Sequence, residues 1–132
     1  MYPRIDKGPI EYTLEIGKTY NRDQQRDCLR FRFRTVEDFL HFQYRLAIEE
    51  RHGNNSLEFA LRGLKTRGLT LPAAGKAEGD VDVFDLEGTY SITIIKPGNI
   101  KNSFSISVAG NHPSLVKGVE EENPFIELKL HE

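Results

Sequence analysis

Apolar and polar residues alternate along most of this chain, and a period of two places apolar side chains on one face of an extended strand. Near the N-terminus, Tyr12, Leu14 and Ile16 alternate with Thr13 and Glu15. The same alternation recurs in the segments 29–34, 57–61, 81–83, 89–95, 104–108 and 126–131. A further short strand is predicted to end at residues 69–72, and the turn residues at 96–99 predict a hairpin between the segments 89–95 and 104–108. About nine short strands separated by turn residues predict an all-β fold, an antiparallel β-barrel or sandwich.

Two segments leave alternatives open. Thr35, followed by Asp38, resembles a helix N-cap, and apolar residues from Val36 onward also fall at helical spacing. Against a helix, apolar residues occupy every second position from Leu40 to Ile48, and aromatic residues favour strands. We therefore predict a strand over this segment. The polar stretch that holds Pro113 leaves room for a helical turn near residues 113–119.

Length, composition and charge indicate one globular domain that spans residues 1–132. The chain has 132 residues, of which 38% are hydrophobic and 29% are charged, and this composition is ordinary for a folded domain. The net charge of −2 creates no field that would attract DNA or RNA. No apolar run approaches the roughly 20 residues of a membrane helix, and residues 1–4 lack the apolar core of a signal peptide. We expect a soluble, intracellular protein.

The residues that commonly carry catalysis are scattered. The four histidines, at positions 41, 52, 112 and 131, lack metal-ligand spacing, and Cys28 has no second cysteine as a partner. The glycines form no phosphate-binding loop. We therefore predict no catalytic, cofactor-binding or metal-binding residue, and we interpret Cys28 as a small buried side chain.

Arginines at every second position, Arg30, Arg32 and Arg34, place three positive charges on one face of a strand. Such a stripe is either a solvated strand face or a binding site for phosphates or an acidic partner.

The order of several segments resembles a known family. The segments are 14–20 (LEIGKTY), 42–46 (FQYRL), 57–59 (LEF), 70–72 (TLP), 81–84 (VDVF) and 92–95 (ITII). In this order they are similar to the N-terminal domain of the ELL-associated factor family of transcription elongation proteins. The resemblance extends loosely from Tyr12 to Val108.

The resemblance implies a nuclear protein without enzymatic activity. It would form a heterodimer with an ELL-type elongation factor through a barrel like the dimerisation module of TFIIF, and would support elongation by RNA polymerase II. Adjacent apolar residues around position 84 break the strict alternation, so both faces of the strand would be covered there. The predicted partner-binding residues are Tyr44, Val81, Val83, Phe84, Ile92 and Ile94.

Two other functions remain open on the sequence. A free-standing β-barrel of this strand count could bind a small apolar ligand or a peptide in its mouth. An enzyme without a recognisable motif is the third alternative.

Overall fold

The computed structural model describes residues 10–39, 44–66, 75–121 and 123–131, and nine strands form in these ranges. They are β1 (Tyr12–Asn21), β2 (Arg26–Phe39), β3 (Tyr44–Gly53), β4 (Ser56–Thr66), β5 (Gly75–Val83), β6 (Gly88–Lys96), β7 (Ile100–Ala109), β8 (His112–Lys117) and β9 (Ile126–His131). The described residues contain no helix, which confirms the all-β prediction. In particular, no helix among them is long and apolar enough to cross a membrane.

The strands follow the order β8-β7-β6-β4-β3-β5-β2-β1-β9. A single bridge, Arg45 with Glu78, pairs β3 with β5, and we call this narrow junction the seam. On either side of the seam lie a five-stranded sheet (β8, β7, β6, β4, β3) and a four-stranded sheet (β5, β2, β1, β9). No ladder joins β8 to β9 among the described residues, and the strands do not close into a barrel.

The antiparallel part of the prediction is wrong, because both sheets are mixed. β1 runs parallel to β9, β4 runs parallel to β6, and the bridge at the seam is also parallel. Alternation and turn residues report which strands form and which neighbours along the chain make hairpins. A parallel pair joins strands that are distant in the chain and leaves no turn signal between them.

The segment from Thr35 to Ile48, for which a helix was the alternative, forms strands in its described parts. Thr35 does not cap a helix: its hydroxyl accepts a hydrogen bond from the Ala77 amide at 2.9 Å, between β2 and β5. Strand β2 continues to Phe39 and β3 begins at Tyr44, so the strand predicted from Leu40 to Ile48 is confirmed over residues 44–48. Residues 40–43 and the strand end predicted at residues 69–72 lie outside the described residues.

The helical turn near residues 113–119 is not formed, and residues 112–117 are β8 instead. There Pro113 pairs with Val108 and Leu115 pairs with Ile106 in the ladder to β7. Pairing with an existing strand satisfies the backbone of this short segment better than an isolated helical turn would.

The inner faces of the two sheets pack on each other and form the core. The ring centroid of Phe59 on β4 lies 4.8 Å from that of Phe31 and 5.6 Å from that of Phe33, both on β2. These aromatic rings are fully buried, as are Leu14, Ile16, Ile92, Ile94 and Ile106. Contact between the two layers favours a sandwich.

The predicted hairpin between β6 and β7 is confirmed. Its turn is Lys96 to Asn99, in which the Asn99 amide donates a hydrogen bond to the Lys96 carbonyl at 3.1 Å. Gly98 and Asn99 have φ of 92° and 60°, a region that glycine and asparagine tolerate better than other residues.

Candidate partner-binding surface

Four of the predicted partner-binding residues lie in the core of this domain. Val81 and Val83 on β5 have exposures of 9% and 3%, and Ile92 and Ile94 on β6 are fully buried. Their side chains already pack inside the domain and are not available to anchor a partner in this fold. The residue at which alternation breaks, Phe84, is a different case.

Phe84 follows the last residue of β5 and is half-buried. The guanidinium carbon of Arg26 lies 4.3 Å from the centroid of its ring, and the Arg26 Nη1 donates to Asp85 Oδ1 at 3.1 Å. Among the predicted residues whose side chains are described, Phe84 alone reaches the surface; the side chain of Tyr44 lies outside the described residues. Of the predicted partner-binding residues with described side chains, only Phe84, beside Arg26 and Asp85, therefore remains accessible to a partner.

The predicted basic stripe is neutralised by the chain itself. Strand β5 carries carboxylates at every second residue, and these lie opposite the arginines of β2 in the antiparallel register. The arginine ladder consists of Arg30 Nε to Asp82 Oδ1 at 2.7 Å, Arg32 Nε to Asp80 Oδ1 at 2.9 Å and Arg34 Nε to Glu78 Oε2 at 2.5 Å. The acidic residues that neutralise the three arginines thus lie on β5. In the sequence, the acidic residues at positions 78, 80 and 82 have the same two-residue spacing as the arginines, and this spacing is the signal that could have indicated the pairing.

Asp82 is the most highly bonded carboxylate of the ladder. It accepts two hydrogen bonds from Arg30, at 2.7 and 2.9 Å, and one from Asn21 Nδ2 at 2.8 Å. The hydrogen bond from Arg30 is the main reason that the pKa of Asp82 is lowered. Cys28 is buried beside it, and burial followed by the negative charge of Asp82 raises the pKa of this thiol to about 11. Cys28 is therefore a poor nucleophile, and its interpretation as a small buried side chain is confirmed.

His52 and His131 each lie beside a different carboxylate. His52 Nε2 lies 2.7 Å from Glu50 Oε2, and His131 Nε2 lies 3.1 Å from Glu15 Oε2. His41 is outside the described residues. In the part of the chain that the structure describes, no three histidine, cysteine or acidic residues gather into a group that could hold a metal ion.

A surface that the sequence did not indicate lies between the two terminal strands, β8 and β9. We call it the terminal opening; it is bordered by β8, which carries Leu115 and Val116, by β9, and by the end of β1 with Tyr20. Leu115 pairs with the fully buried Ile106 and belongs to the same inner face, yet 46% of it is exposed. Val116, in the irregular register of β8, is 58% exposed. The inner face is thus left uncovered at this edge.

A hollow of about 620 Å³ separates the start of β8 from the end of β9. It is lined by Lys18, Thr19, Tyr20, Asp27, His112 and His131. Lys18 and Asp27 form an ion pair at 3.6 Å, and 53% of Tyr20 is exposed. At this end of the molecule β8 contacts both β9 and β1, and the hollow between them is open to solvent.

At the other end of the terminal opening the sheets are tied together. The Phe125 amide, just before β9, donates to Asn102 Oδ1 on β7 at 2.8 Å, and the Phe125 carbonyl accepts from the Glu11 amide at 2.8 Å. Asn102 and Phe125 are both buried. The opening therefore has a fixed end and an open end.

The signal that could have indicated this surface is the apolar pair Leu115 and Val116 beside the polar Ser114 and Lys117. In a strand, adjacent apolar residues point to opposite faces, so one of them had to face away from the core. Comparisons of the chain with models of protein families, with curated proteins and with solved structures found no match.

Proposed function

We propose that this chain is a non-enzymatic interaction domain that forms a heterodimer with another protein. The observation that carries the proposal is the exposure of Leu115. An inner-face leucine whose cross-strand neighbour Ile106 is fully buried is normally covered by the domain's own core. Its 46% exposure, next to Val116 at 58%, leaves apolar surface for a second chain to bury.

The identity of the partner is proposed from the sequence resemblance. An ELL-type elongation factor is the first candidate, and the complex would act in the nucleus, where it would support elongation by RNA polymerase II through a TFIIF-like dimerisation module. The contacts of this chain add a second point of attachment, since Phe84 and Arg26 combine the aromatic and guanidinium groups that are common in interface hot spots.

The experiment is a measurement of mass in solution and of binding by titration calorimetry, for this domain with an ELL-type subunit. The Leu115→Ser variant should bind at least tenfold more weakly, because truncation of an interface anchor commonly costs roughly 2 kcal/mol or more. Phe84→Ala tests the second attachment point in the same way. Circular dichroism of each variant checks that the fold is retained.

Ile100→Ser is the matched control, because Ile100 is 48% exposed but lies at the start of β7, away from the terminal opening. It should bind like the parent domain. A parent domain that stays monomeric in the presence of the ELL-type subunit would remove this partner. Equal losses for Leu115→Ser and Ile100→Ser would show that exposed apolar area in general, and not this surface, determines binding.

A further inference from the structure

Strand β8 lies between two glycines that have open space around them. Gly110 has a φ of 58° in the tight turn that follows β7, a conformation that glycine adopts at little cost. Gly118 follows the last residue of the strand. A Cβ atom built at either glycine would meet no atom of the described residues within 4 Å, its chain neighbours aside. The chain therefore has no tertiary packing at the two points where β8 begins and ends.

Beyond the two glycines the chain is attached to the rest of the domain. On the side of β7, the Gly110 amide donates a hydrogen bond to Glu87 Oε1 at 3.0 Å. On the other side, Val119 packs against the core, and Glu121 Oε1 accepts a hydrogen bond from the Ser103 amide of β7 at 2.9 Å. A movement of β8 would therefore be confined to the segment between the two glycines.

The strand itself is held mainly by its pairing with β7, and the register of that pairing is irregular. Pro113 is its one buried residue, whereas Leu115 and Val116 are exposed. Lys117 forms an ion pair at 3.2 Å with Glu120, which is only three residues along the chain. The strand also contacts β1 and β9, but among the described residues no side chain of β8 forms an ion pair or a hydrogen bond with either of them. Little besides the β7 ladder therefore opposes the detachment of β8.

The other terminal strand, β9, is held by more than its ladder. Leu128 and Leu130 pack against the core, and the Phe125 amide at the entry to the strand is bonded to the buried Asn102. Local opening costs least free energy where few apolar side chains are buried. We therefore expect β8 to open more readily than β9, although both are edge strands.

We propose that β8 is a hinged flap, which leaves β7 and returns while the other strands stay paired, and which the partner closes. In the closed flap Leu115 lies opposite Ile106 on the inner face, where a second chain can bury it. Opening removes Leu115 from that face. A partner that buries Leu115 thus binds the closed flap and suppresses its opening. This inference rests on the proposed partner-binding surface and adds a conformational control of that surface.

Hydrogen exchange of the free domain tests the opening. The amides of β8 that bond to β7 should be roughly tenfold or more less protected than the amides of β9 that bond to β1. The comparison with β9 removes the general effect of an edge position. Equal protection of the two strands, or opening of β8 only together with β7, would overturn the proposal.

Substitutions of the two glycines should change the opening in opposite directions. Gly118→Ala meets no described atom within 4 Å and restricts the open chain, so the open population should fall about two- to fivefold. Gly110→Ala places a side chain on a left-handed residue, and opening relieves the strain, so the open population should rise roughly fivefold or more.

Gly88→Ala is the matched control for the strained hinge. Gly88 also has a positive φ, 100°, and no described atom within 4 Å of a Cβ, but it lies at the start of β6. This variant should lose stability without a selective increase of exchange in β8. An equal increase of β8 exchange in the Gly88 and Gly110 variants would refute the hinge.

Hydrogen exchange in the complex with the ELL-type subunit separates this inference from the proposed function. With the subunit at roughly 100 times its Kd, the protection of β8 should increase about 100-fold, because the open flap does not bind. If the complex forms and β8 gains no protection, closure of the flap by the partner is wrong while the heterodimer stands. If the subunit does not bind but β8 opens selectively and responds to the glycine variants, the flap stands and the proposed partner is wrong.

Discussion

Asn102 should contribute more to stability than any exposed polar side chain of β7, because it satisfies a buried backbone group at the entry to β9. It is 1% exposed, and its Oδ1 accepts the hydrogen bond of the Phe125 amide at 2.8 Å. Its Nδ2 donates to the Lys101 carbonyl at 2.9 Å, on an exposed residue where water can replace the donor. Substitution by leucine keeps the approximate volume and leaves the buried Phe125 amide without an acceptor. This should cost about 2 kcal/mol.

The assay is urea and thermal denaturation of Asn102→Leu and Asn102→Ala beside the parent domain. A loss of about 2 kcal/mol corresponds to a decrease of roughly 8 °C in Tm for a domain of this size. The alanine variant should be destabilised further, because it adds a cavity. Hydrogen exchange should show faster opening at Phe125 and along β9.

Ser105→Ala is the control, since Ser105 lies on the outer face of the same strand and is half-exposed. Its stability should change by less than about 0.5 kcal/mol. A leucine variant as stable as the parent domain would refute the reasoning, because it would mean that the Phe125 amide finds another acceptor at no cost.

Three further predictions concern the four-stranded sheet and the seam. Asp82→Asn should destabilise the domain by about 2 kcal/mol at neutral pH. Because the folded-state pKa of Asp82 is lowered from 3.8, the stability that its carboxylate contributes is present above pH 3.8 and is lost as the pH falls through the folded-state pKa. In acid denaturation, the stability difference between the variant and the parent domain should therefore shrink below pH 3.8. The pKa of about 11 and the burial of Cys28 predict that iodoacetamide reacts with it at least tenfold more slowly in the native than in the urea-unfolded domain, and equal rates would contradict this. Gly79→Ala places a Cβ 2.9 Å from the Leu46 carbonyl oxygen across the seam and should cost roughly 1 to 3 kcal/mol in thermal denaturation. Gly118→Ala, which meets no atom within 4 Å, should cost nothing measurable, and a similar effect of both substitutions would exclude steric contact as the cause.

Local alternation predicted every described strand except β8, and the chemistry of the turns predicted the β6–β7 hairpin, because both depend on residues that are close in the chain. The order of the strands was not predictable in the same way. The parallel pairing of Tyr12 with Ile126 joins opposite ends of the described chain and has no intervening turn to indicate it. Thr35 shows how a tertiary contact decides between local alternatives, since its bond to Ala77 replaces the cap of a helix.

The candidate site was predictable to a smaller extent. The break in alternation was taken to place Val81, Val83 and Phe84 together at a partner, whereas Val81 and Val83 lie in the core and Phe84 reaches the surface. Adjacent apolar residues also occur at Leu115 and Val116, within the segment where a helical turn was expected. The arginines of β2 are evident in the sequence, but their neutralisation by acidic residues of β5 follows only from the register of the two strands. Whether a charged face is available to a partner depends on pairing between strands, which a single sequence does not report.

The parallel pairing of β1 with β9 sets an order of events during synthesis. Tyr12 and its partner Ile126 are 114 residues apart (126 − 12), so the ribosome needs roughly 6 to 23 seconds at 5 to 20 residues per second between making the two. During that interval one edge of β1 has no strand beside it, and its buried residues Leu14 and Ile16 lack part of their final cover. Contacts this distant in the chain also slow folding after release. The nascent chain should therefore be a better substrate for chaperones that bind extended apolar segments than its finished surface suggests.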